Sequence, residues 1–300
     1  MPQKSMPVYD IDDFKYLGLE DNFYANTFRE HLTQHSHIIL APHRHTFYLC
    51  VLFTCGKGVH EIDFHKYDIR PGSVFLLFPG QVHNWRVSDD TDGYILFHKK
   101  EFYNMNFIHE KVEHFPFFNC IQNAPLLRLK PQQVDTIEPV FKEIVEEYRS
   151  QELMRMQKIG SLLNVLYIDL SRMYIPSDLR ATKIETQLAH VRRLEKLIDD
   201  HFRETKSPAK YAEMMFMSEK NLNRVCKSCL AKTVSEVISD KIMVEAKRML
   251  IYSELTVAQV ATELGYLDNS YFTRMFKRKT GLTPLEFQKT YRNNLERKSG

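Results

Sequence analysis

Two stretches near the C-terminus carry the same basic side chains at matching positions, fifty residues apart. Arg224 matches Arg274 and Lys227 matches Lys277, and the apolar residues between them also coincide. An arginine can donate two hydrogen bonds to guanine O6 and N7, and an asparagine can pair with adenine through two hydrogen bonds. The pattern indicates a duplicated surface whose chemistry suits the edges of DNA bases.

Helix signals around each copy predict the elements that would position these side chains. Thr233-Val-Ser-Glu236 and Thr283-Pro-Leu-Glu286 are capping boxes, in which the threonine caps a helix and the glutamate reaches back to it. A short amphipathic helix precedes each copy, starting at Ser207-Pro208 and at Thr256-Val-Ala-Gln259. Gly265 can take the left-handed conformation that ends the second of these helices. Each copy is therefore predicted to be a helix-turn-helix.

A long helix from about Val234 to Tyr252 is predicted to join the copies. In each second helix the apolar residues face inward, and this leaves the polar side chains outside. The predicted base-reading residues are Lys220, Asn223 and Arg224 in the first copy and Asn269, Ser270, Thr273 and Arg274 in the second. The predicted phosphate contacts are Ser218, Lys227, Lys277 and Arg278. The alternative is an all-α bundle with solvated arginines and lysines.

The charge distribution favours a nucleic-acid module at the C-terminus. From His190 to Gly300 there are 21 Lys plus Arg against 14 Asp plus Glu, a balance of +7. The preceding residues carry 20 against 24, a balance of −4. A basic half joined to a slightly acidic half is typical of a DNA-binding part attached to a different kind of domain.

The N-terminal half predicts strands from about Phe23 to His98. The apolar run Phe47 to Phe53, the alternating segment His60 to Phe64 and the run Ser73 to Phe78 are separated by glycine and proline turn signals. In the alternating segment, Ile62 and Phe64 are expected on one face. Short strands at this spacing indicate an antiparallel barrel or sandwich.

After Pro131 the apolar residues recur at the spacing of a helix. Val134, Ile137, Phe141, Ile144 and Val145 suit one helix, and the leucine-rich stretch from Leu162 to Leu170 suits a second. The segment Tyr174 to Lys183, with Pro176-Ser177, is expected to be a linker. The predicted fold class is α+β multidomain.

The second copy resembles the AraC/XylS family of transcription regulators. The residues that carry this resemblance are Ala246-Lys-Arg-Met-Leu250, Val257-Ala-Gln-Val-Ala261, Leu264-Gly-Tyr266, Ser270-Tyr-Phe272, Arg274-Met-Phe-Lys277 and Thr280-Gly-Leu-Thr-Pro284. The resemblance covers roughly Leu194 to Arg292 and implies two recognition helices that enter successive major grooves. The first copy departs from it, with Ala231 in place of a glycine and Cys226 in place of a large aromatic residue.

Pro42-His43-Arg-His45 and Pro79-Gly-Gln-Val-His83 resemble the two motifs of cupin barrels. That resemblance implies a small-molecule sensor, with His43, His45, Tyr48, His83 and Trp85 as its pocket. Three imidazoles can hold a transition metal, but the position of the cupin glutamate falls near Leu49 or Cys50, which offer no carboxylate. The favoured interpretation is that these histidines form hydrogen bonds or line a ligand pocket, with no metal and no cofactor.

The cysteine pattern and the hydropathy indicate the cellular compartment in which the protein is expected. Five cysteines form an odd set, which fits a reducing cytoplasm better than a disulfide framework. Cys226-Lys-Ser-Cys229 resembles a redox or zinc motif, yet it falls inside a predicted recognition helix, so packing of Cys226 in the core is the favoured interpretation. No apolar run is long enough to cross a membrane, and the N-terminus lacks signal-peptide features. We expect a cytoplasmic protein.

These observations combine into one prediction with three segments. Residues 1–130 form a cupin-like effector-sensing domain with an antiparallel β-barrel, 131–183 a helical dimerisation segment and linker, and 184–300 an all-α double helix-turn-helix. The expected function is sequence-specific transcription regulation and not enzyme catalysis. The expected partners are a double-stranded DNA operator, a small-molecule effector, a second copy of the chain and RNA polymerase. The rivals are a metal-dependent cupin enzyme with an appended DNA-binding domain and a nonspecific architectural DNA-binding protein.

Overall fold

A computed structural model describes residues 6–14, 22–39, 41–107, 111–118, 124–175 and 182–299 of the chain. The chain divides into two compact units, Pro7–Arg180 and Ala181–Gly300. Most of the predicted linker, residues 176–181, lies outside the described residues, as does Cys120.

The N-terminal unit is built mainly from antiparallel strands, as predicted. The strands are β1 (Val8–Tyr9), β2 (Phe23–Thr27), β3 (Arg44–His45), β4 (Tyr48–Cys55), β5 (Gly58–Ile62), β6 (His65–Ile69), β7 (Ser73–Leu77), β8 (His83–Val87), β9 (Asp92–His98) and β10 (Leu126–Arg128). They form a five-stranded sheet in the order β10-β7-β4-β9-β2, a three-stranded sheet in the order β6-β5-β8, and a short parallel pair of β1 and β3.

Aromatic side chains from the two larger sheets meet in the interior of this unit. The His60 ring of β5 lies 4.5 Å from the Phe75 ring of β7, and Trp85 of β8 is 1% exposed. Phe53 and Phe75 from the five-stranded sheet are fully buried. Edge-to-face contacts of this kind add to the free energy gained by burying large apolar surfaces.

One helix interrupts the region that the sequence predicted as strands. Helix α1 spans Phe28–Ile39, so the prediction of strands throughout Phe23 to His98 is wrong there. Thr27 accepts a hydrogen bond from the amide of Glu30 at 3.3 Å, and this Thr-x-x-Glu pattern is itself a helix-start signal. Phe28 and His31 are buried on the face of α1 that packs on the sheet.

A hairpin turn also corrects the predicted strand over His60 to Phe64. The chain reverses at Asp63 and Phe64, whose φ angles are +45° and +74°, and β6 then pairs back onto β5. In a two-residue hairpin with a type I′ turn, φ is positive at both turn positions, as it is here. The Asp63 carboxylate holds this turn by accepting hydrogen bonds from the Val82 amide at 3.2 Å and from Gln81 at 3.3 Å.

Three further helices belong to this unit, the first between β9 and β10 and the other two after β10. They are α2 (Lys100–Asn106), α3 (Pro131–Arg149) and α4 (Arg155–Tyr174). The predicted apolar face of α3 is confirmed, since Ile137, Phe141 and Ile144 are fully buried. On α4, Leu163 and Leu166 are buried, whereas Val165 is 48% exposed and Ile168 is 38% exposed.

The C-terminal unit is helical, as predicted. Its helices are α5 (Thr182–His201), α6 (Pro208–Met214), α7 (Glu219–Leu230), α8 (Val234–Tyr252), α9 (Val257–Glu263), α10 (Asn269–Thr280) and α11 (Pro284–Ser299). The joining helix α8 has the predicted bounds. Thr233 and Glu236 form the predicted capping box at its start. No helix among the described residues of either unit is long and apolar enough to span a membrane.

Candidate functional site

Each helix-turn-helix closes its turn with the same hydrogen bond. The amide of Met217 donates to the carbonyl of Ala212, and the amide of Tyr266 donates to that of Ala261, both at 2.9 Å. These bonds satisfy carbonyl groups at the ends of α6 and α9. The Ala212 carbonyl also accepts the amide of Met215 at 3.2 Å. Helices α6 and α9 start 49 residues apart, but α7 and α10 start 50 apart, so the second turn is one residue longer.

The two turns use different residues for their left-handed position. Gly265 has φ +75° in the second turn, and Phe216 has φ +57° in the first. A bulky residue is strained there, because its Cβ crowds the following carbonyl oxygen. The Phe216 ring is 90% exposed and lies 5.9 Å from the guanidinium of Arg193.

Local side chains cap the start of each recognition helix. The Ser218 hydroxyl accepts a hydrogen bond from the Asn221 amide at 3.2 Å at the start of α7. Asp268 accepts from the amides of Ser270 at 2.7 Å and Tyr271 at 3.2 Å at the start of α10. Ser218 therefore has a structural role at the helix end where the prediction places a phosphate.

The predicted inward face of each recognition helix is confirmed, and most predicted contact residues lie outside. Leu222, Val225 and Cys226 of α7 and Phe272, Met275 and Phe276 of α10 are buried. The exposed members of the predicted DNA-contacting set are Ser218, Lys220, Arg224, Lys227, Asn269, Ser270, Arg274, Lys277 and Arg278. Arg224 also donates to the side chain of Asn221 at 2.7 Å, which orients its guanidinium.

Asn223 and Thr273 occupy equivalent positions and are both half-buried. The side-chain oxygen of Asn223 accepts a hydrogen bond from the amide of Val234 at 3.0 Å, across the turn to α8. An asparagine that pairs with adenine needs its oxygen and its nitrogen together. The structure thus gives Asn223 a structural hydrogen bond in place of the free outward amide that the sequence predicted.

The two recognition helices end in the same backbone geometry with different residues. Ala231 has φ +54° and donates its amide to the carbonyl of Lys227 at 3.1 Å. Gly281 has φ +81° and donates to the carbonyl of Lys277 at 2.8 Å. The first copy therefore adopts the left-handed cap without a glycine, at a cost of about 1–2 kcal/mol for an L-residue.

Cys226 packs in the core, as the favoured interpretation of the Cys-Lys-Ser-Cys segment holds. Its side chain is fully buried, and burial raises the pKa of its thiol to about 12. Cys229, one turn along α7, is only half-buried. A thiol with a raised pKa is a poor nucleophile and a poor metal ligand, because the thiolate performs both functions.

Four of the five predicted pocket residues come together in the N-terminal unit. The ring centres of His43 and His83 are 4.4 Å apart, and those of His45 and His83 are 4.9 Å apart. Trp85 lies 5.0 Å from His83. All four side chains are at most 2% exposed.

Tyr48 does not join this cluster. Side chains alternate between the two faces of a strand, and Tyr48 of β4 falls on the face opposite to the neighbouring Phe47. The Tyr48 ring stacks on His98 at 5.3 Å and contacts Phe118 at 4.8 Å, whereas Phe47 stacks on His45 at 4.3 Å. The prediction that Tyr48 lines the same pocket as the histidines is therefore wrong.

His60 is a member of the cluster that the sequence did not single out. Its Nε2 lies 2.9 Å from Nδ1 of His83, and it stands opposite Trp85 in the register of β5 and β8. The signal in the sequence that could have identified His60 is its position in the alternating segment that follows a glycine turn. Only the pairing of the strands brings it next to His83, which is 23 residues away.

Burial keeps this histidine cluster uncharged. Desolvation lowers the pKa of His43 to about 4 and that of His45 to about 3. It also lowers the pKa values of His60 and His83 well below the usual value, and the neighbouring histidines add to this effect. A cluster that is neutral at pH 7 can bind a ligand through hydrogen bonds without an opposite charge.

Several ring nitrogens in the cluster have no hydrogen-bond partner within the described residues. His45 donates from Nδ1 to the Phe47 carbonyl at 2.8 Å, so its Nε2 is an acceptor. That Nε2, Nε2 of His83, Nδ1 of His60 and Nε1 of Trp85 are all buried and unpartnered in this part of the chain. Buried polar atoms without partners are costly. A polar ligand would satisfy them.

The resemblance to cupin motifs raises the question of a metal site at these histidines. Across the described ranges, no group of three or more His, Cys, Asp or Glu side chains is arranged to hold a metal ion. In β4, Leu49 and Cys50 stand at the predicted carboxylate position, and neither supplies a carboxylate.

A cleft of about 610 Å³ lies on the same unit, away from the histidines. It runs between β2, α1 and the connection from α3 to α4, and its volume is typical of small-molecule sites. Asn26 accepts a hydrogen bond from Arg149 in this cleft at 2.6 Å. The sequence did not indicate this cleft, because its walls come from segments more than a hundred residues apart.

Comparisons with known proteins match both units of the chain. A helix-turn-helix domain family matches residues 211–290, and the AraC-like ligand binding domain family matches residues 24–163. The HTH-type transcriptional activator RhaR of Escherichia coli (strain K12) is 25% identical over 277 residues, which cover 90% of this chain and 95% of the relative. RhaR of Enterobacter sp. (strain 638) is 23% identical over 253 residues, which cover 83% of this chain and 87% of the relative.

Solved structures show weaker likenesses. ToxT from Vibrio cholerae has 13% sequence identity and a TM-score of 0.42, over 89% of this chain and 98% of that chain. The C-terminal domain of AraT, a response regulator from Geobacillus stearothermophilus, has 27% identity and a TM-score of 0.32, over 34% of this chain and 84% of that chain. The two domain families and the curated relatives carry the assignment: the chain belongs to the AraC family of DNA-binding transcription regulators, with an AraC-like ligand-binding domain ahead of its helix-turn-helix domain.

Proposed function

We propose that this regulator binds a double-stranded DNA operator through both helix-turn-helix copies, with α7 and α10 in successive major grooves. The observation that carries the proposal is the matched exposure of Arg224 and Arg274 on two N-capped helices of one compact unit. Exposed arginines on a helix that fits the major groove are the commonest readers of guanine.

The length of α8 is compatible with this arrangement. Its 19 residues span about 28 Å at 1.5 Å per residue. Successive major grooves on one face of B-DNA are about 34 Å apart. The length of α8 together with the lateral offset of the two helix pairs suits one chain that covers two adjacent grooves.

Under this proposal the exposed side chains form two groups, one that reads bases and one that contacts phosphates. Base edges are read by Lys220, Arg224, Asn269, Ser270, Thr273 and Arg274, and phosphates are contacted by Lys227, Lys277, Arg278 and the helix end capped by Ser218. Asn223 instead supports the turn into α8. Because the two sets differ, the two operator blocks are expected to differ in sequence.

Selection from random double-stranded DNA with the purified full-length protein tests this function. The expected result is a site with two blocks about 10–10.5 base pairs apart. Footprinting should show protection of both blocks by one chain. A selected site with one block per chain would restrict DNA reading to one copy, and binding without sequence preference would favour the architectural alternative.

We infer that the effector is a small polar molecule bound by His43, His45, His60, His83 and Trp85. The unpartnered buried nitrogens in this cluster support the inference, since a ligand with hydroxyl or carbonyl groups would satisfy them. His45→Gln should weaken the response to an effector found by thermal-shift screening of polar metabolites. If Arg149→Ala abolishes the response and His45→Gln does not, the effector site is the cleft beside Arg149.

We also propose a role for each segment of the chain. Residues 1–130 sense the effector, 131–183 form the dimerisation segment and linker, and 184–300 bind the operator. The exposed Val165 and Ile168 on α4 support a homodimer interface. Val165→Glu should shift the mass measured by light scattering from dimer to monomer. Contact with RNA polymerase and a cytoplasmic location, with no enzymatic activity, complete the proposal.

A further inference from the structure

Asp240 of α8 holds one lysine from each helix-turn-helix copy. Its Oδ2 lies 2.7 Å from Nζ of Lys232, and its Oδ1 lies 3.4 Å from Nζ of Lys279. Lys232 follows the end of α7, and Lys279 lies in the last turn of α10. A single carboxylate therefore connects the C-terminal ends of the two recognition helices.

Lys206 makes a second connection between the copies. It precedes α6, and its Nζ donates to the carbonyl oxygen of Gly265 at 3.1 Å and lies 4.7 Å from the centre of the Tyr266 ring. The backbones approach so closely here that a Cβ on Gly265 would stand 1.8 Å from the carbonyl oxygen of Arg203. The turn of the second copy is thus seated against the end of α5 and held there by Lys206.

The Asp240 contact bears on the relative placement of α7 and α10 more than on the free energy of folding. Its lysine partners are 39% and 31% exposed, and ion pairs in such surroundings add little to the free energy of folding. A carboxylate also repels the phosphates of a DNA ligand. Two contacts at separate points restrain both the distance and the rotation between α7 and α10 more than one contact would.

We propose that Asp240 and Lys206 are positioning residues that restrict this regulator to one spacing between its two operator blocks. The proposal rests on the proposed reading of DNA by both copies. It assigns a source of specificity to side chains that touch no base. Specificity of this kind appears as discrimination between spacer lengths and not between bases.

The test is a spacer series measured with the full-length protein. Duplexes carry the selected blocks with the native spacer or with one base pair removed or added, and dissociation constants are measured by fluorescence anisotropy. Wild type should prefer the native spacer by about tenfold or more, the size of effect that a misplaced base contact produces. Asp240→Asn should bind all three duplexes within about threefold of one another. Lys206→Met should show the same loss of discrimination.

Asp199→Asn is the matched control. Asp199 of α5 lies 2.7 Å from Lys241 of the same helix α8, so this variant removes the same charge and an equally close ion pair, but no bridge between the copies. Both asparagine variants should bind random DNA more tightly than wild type, because each removes a negative charge. Only Asp240→Asn should lose spacer discrimination, and Asp240→Glu should retain it.

The outcomes separate this proposal from the function on which it rests. A wild-type spacer profile in Asp240→Asn, or an equal loss of affinity for all three duplexes, would overturn the positioning role while leaving two-block reading intact. Loss of discrimination in Asp199→Asn as well would also overturn it, because charge alone would then explain the effect. A single protected block with the wild-type protein would instead reject reading by both copies.

Discussion

The side-chain oxygen of Asn223 accepts the amide hydrogen of Val234, the first residue of α8, at 3.0 Å. The equivalent pair in the second copy is Thr273 and Pro284, fifty residues further along. Proline has no N–H, so Thr273 has no such donor to satisfy. One substitution at a helix start thus separates the roles of two side chains that look equivalent in the repeat.

Asn223→Ala should therefore act on stability, and Thr273→Ala on base choice. Loss of a cap-like hydrogen bond to a helix-start amide costs about 1 kcal/mol. We expect Asn223→Ala to lower the urea midpoint of the C-terminal unit and to weaken binding to all sequences alike. Thr273→Ala should leave the midpoint unchanged and relax selection at one position. An exchange of these two phenotypes would mean that Asn223 is the base reader.

Arg224→Ala and Arg274→Ala should each weaken binding to the operator by about 1–3 kcal/mol. Each should relax base preference in a different block, because the two arginines lie on different recognition helices. Competition binding against single-base operator variants measures both effects. Wild-type affinity in both variants would contradict the assignment of α7 and α10 as recognition helices.

Lys277→Ala serves as the matched contrast for the arginine variants. A phosphate contact carries no base information, so this variant should weaken binding to every sequence by a similar factor. The slope of log affinity against log salt concentration should fall by about one unit. A loss confined to one base position would show that Lys277 contacts a base instead.

Ala231→Gly and Gly281→Ala should change stability in opposite directions. Both positions have left-handed backbones, and no atom lies within 4 Å of a Cβ built on Gly281, so steric contacts of the Cβ do not decide the effect there. We expect Ala231→Gly to stabilise α7, and Gly281→Ala to destabilise α10, by about 1 kcal/mol each. Hydrogen exchange resolved to peptides of α7 and α10 measures this. Stabilisation by both substitutions would contradict the shared geometry.

The N-terminal unit should lose stability as the pH falls below neutrality. The pKa values of His43 and His45 are lowered from 6.5 to about 4 and about 3. Between these folded values and 6.5 the unfolded chain binds more protons than the folded chain. Each such histidine then lowers the free energy of unfolding by about 1.4 kcal/mol per pH unit of acidification, and the contribution is fully present above pH 6.5.

Urea unfolding at several pH values between 7 and 4 measures this dependence. His45→Gln should make the slope shallower by about one proton. Equal slopes for wild type and His45→Gln would contradict the burial of a neutral ring at position 45.

Purified protein should contain no stoichiometric transition metal, and chelation should leave DNA binding intact. The physical reason is that Leu49 and Cys50, which stand at the position expected for the glutamate, supply no carboxylate. Elemental analysis provides the measurement. About one metal ion per chain, lost in His43→Ala and in His83→Ala, would contradict the prediction and revive the cupin enzyme alternative.

Features that depend on neighbouring residues could be predicted from the sequence. The capping box of Thr233 and Glu236 and the bounds of α8 are set by side chains within one helical turn of each other. The strand pattern also predicted the β-rich unit. The missed helix α1 had a local signal of the same kind, Thr27-Phe-Arg-Glu30, inside a region whose strand-like flanks obscured it.

Features that depend on pairing between distant segments could not be predicted in this way. His60 joins the histidine cluster only through the register of β5 with β8, and Tyr48 leaves it because β4 turns that side chain to the other face. The bond from Asn223 to Val234 crosses a turn. A repeat in the sequence shows which positions correspond, but the surrounding contacts decide which of them are available to a ligand.

The extra residue in the second turn has a consequence for how the protein lies on a chromosome. The two helix pairs follow each other in the same chain direction and differ in turn length. Under the proposed reading of DNA by both copies, a bound chain therefore has a head and a tail along the duplex. Reversing the direction of the DNA site would therefore reverse the direction of the bound protein. Under the same proposal, the order of the two copies sets the orientation of each bound chain relative to the transcription start, and not only its distance from it.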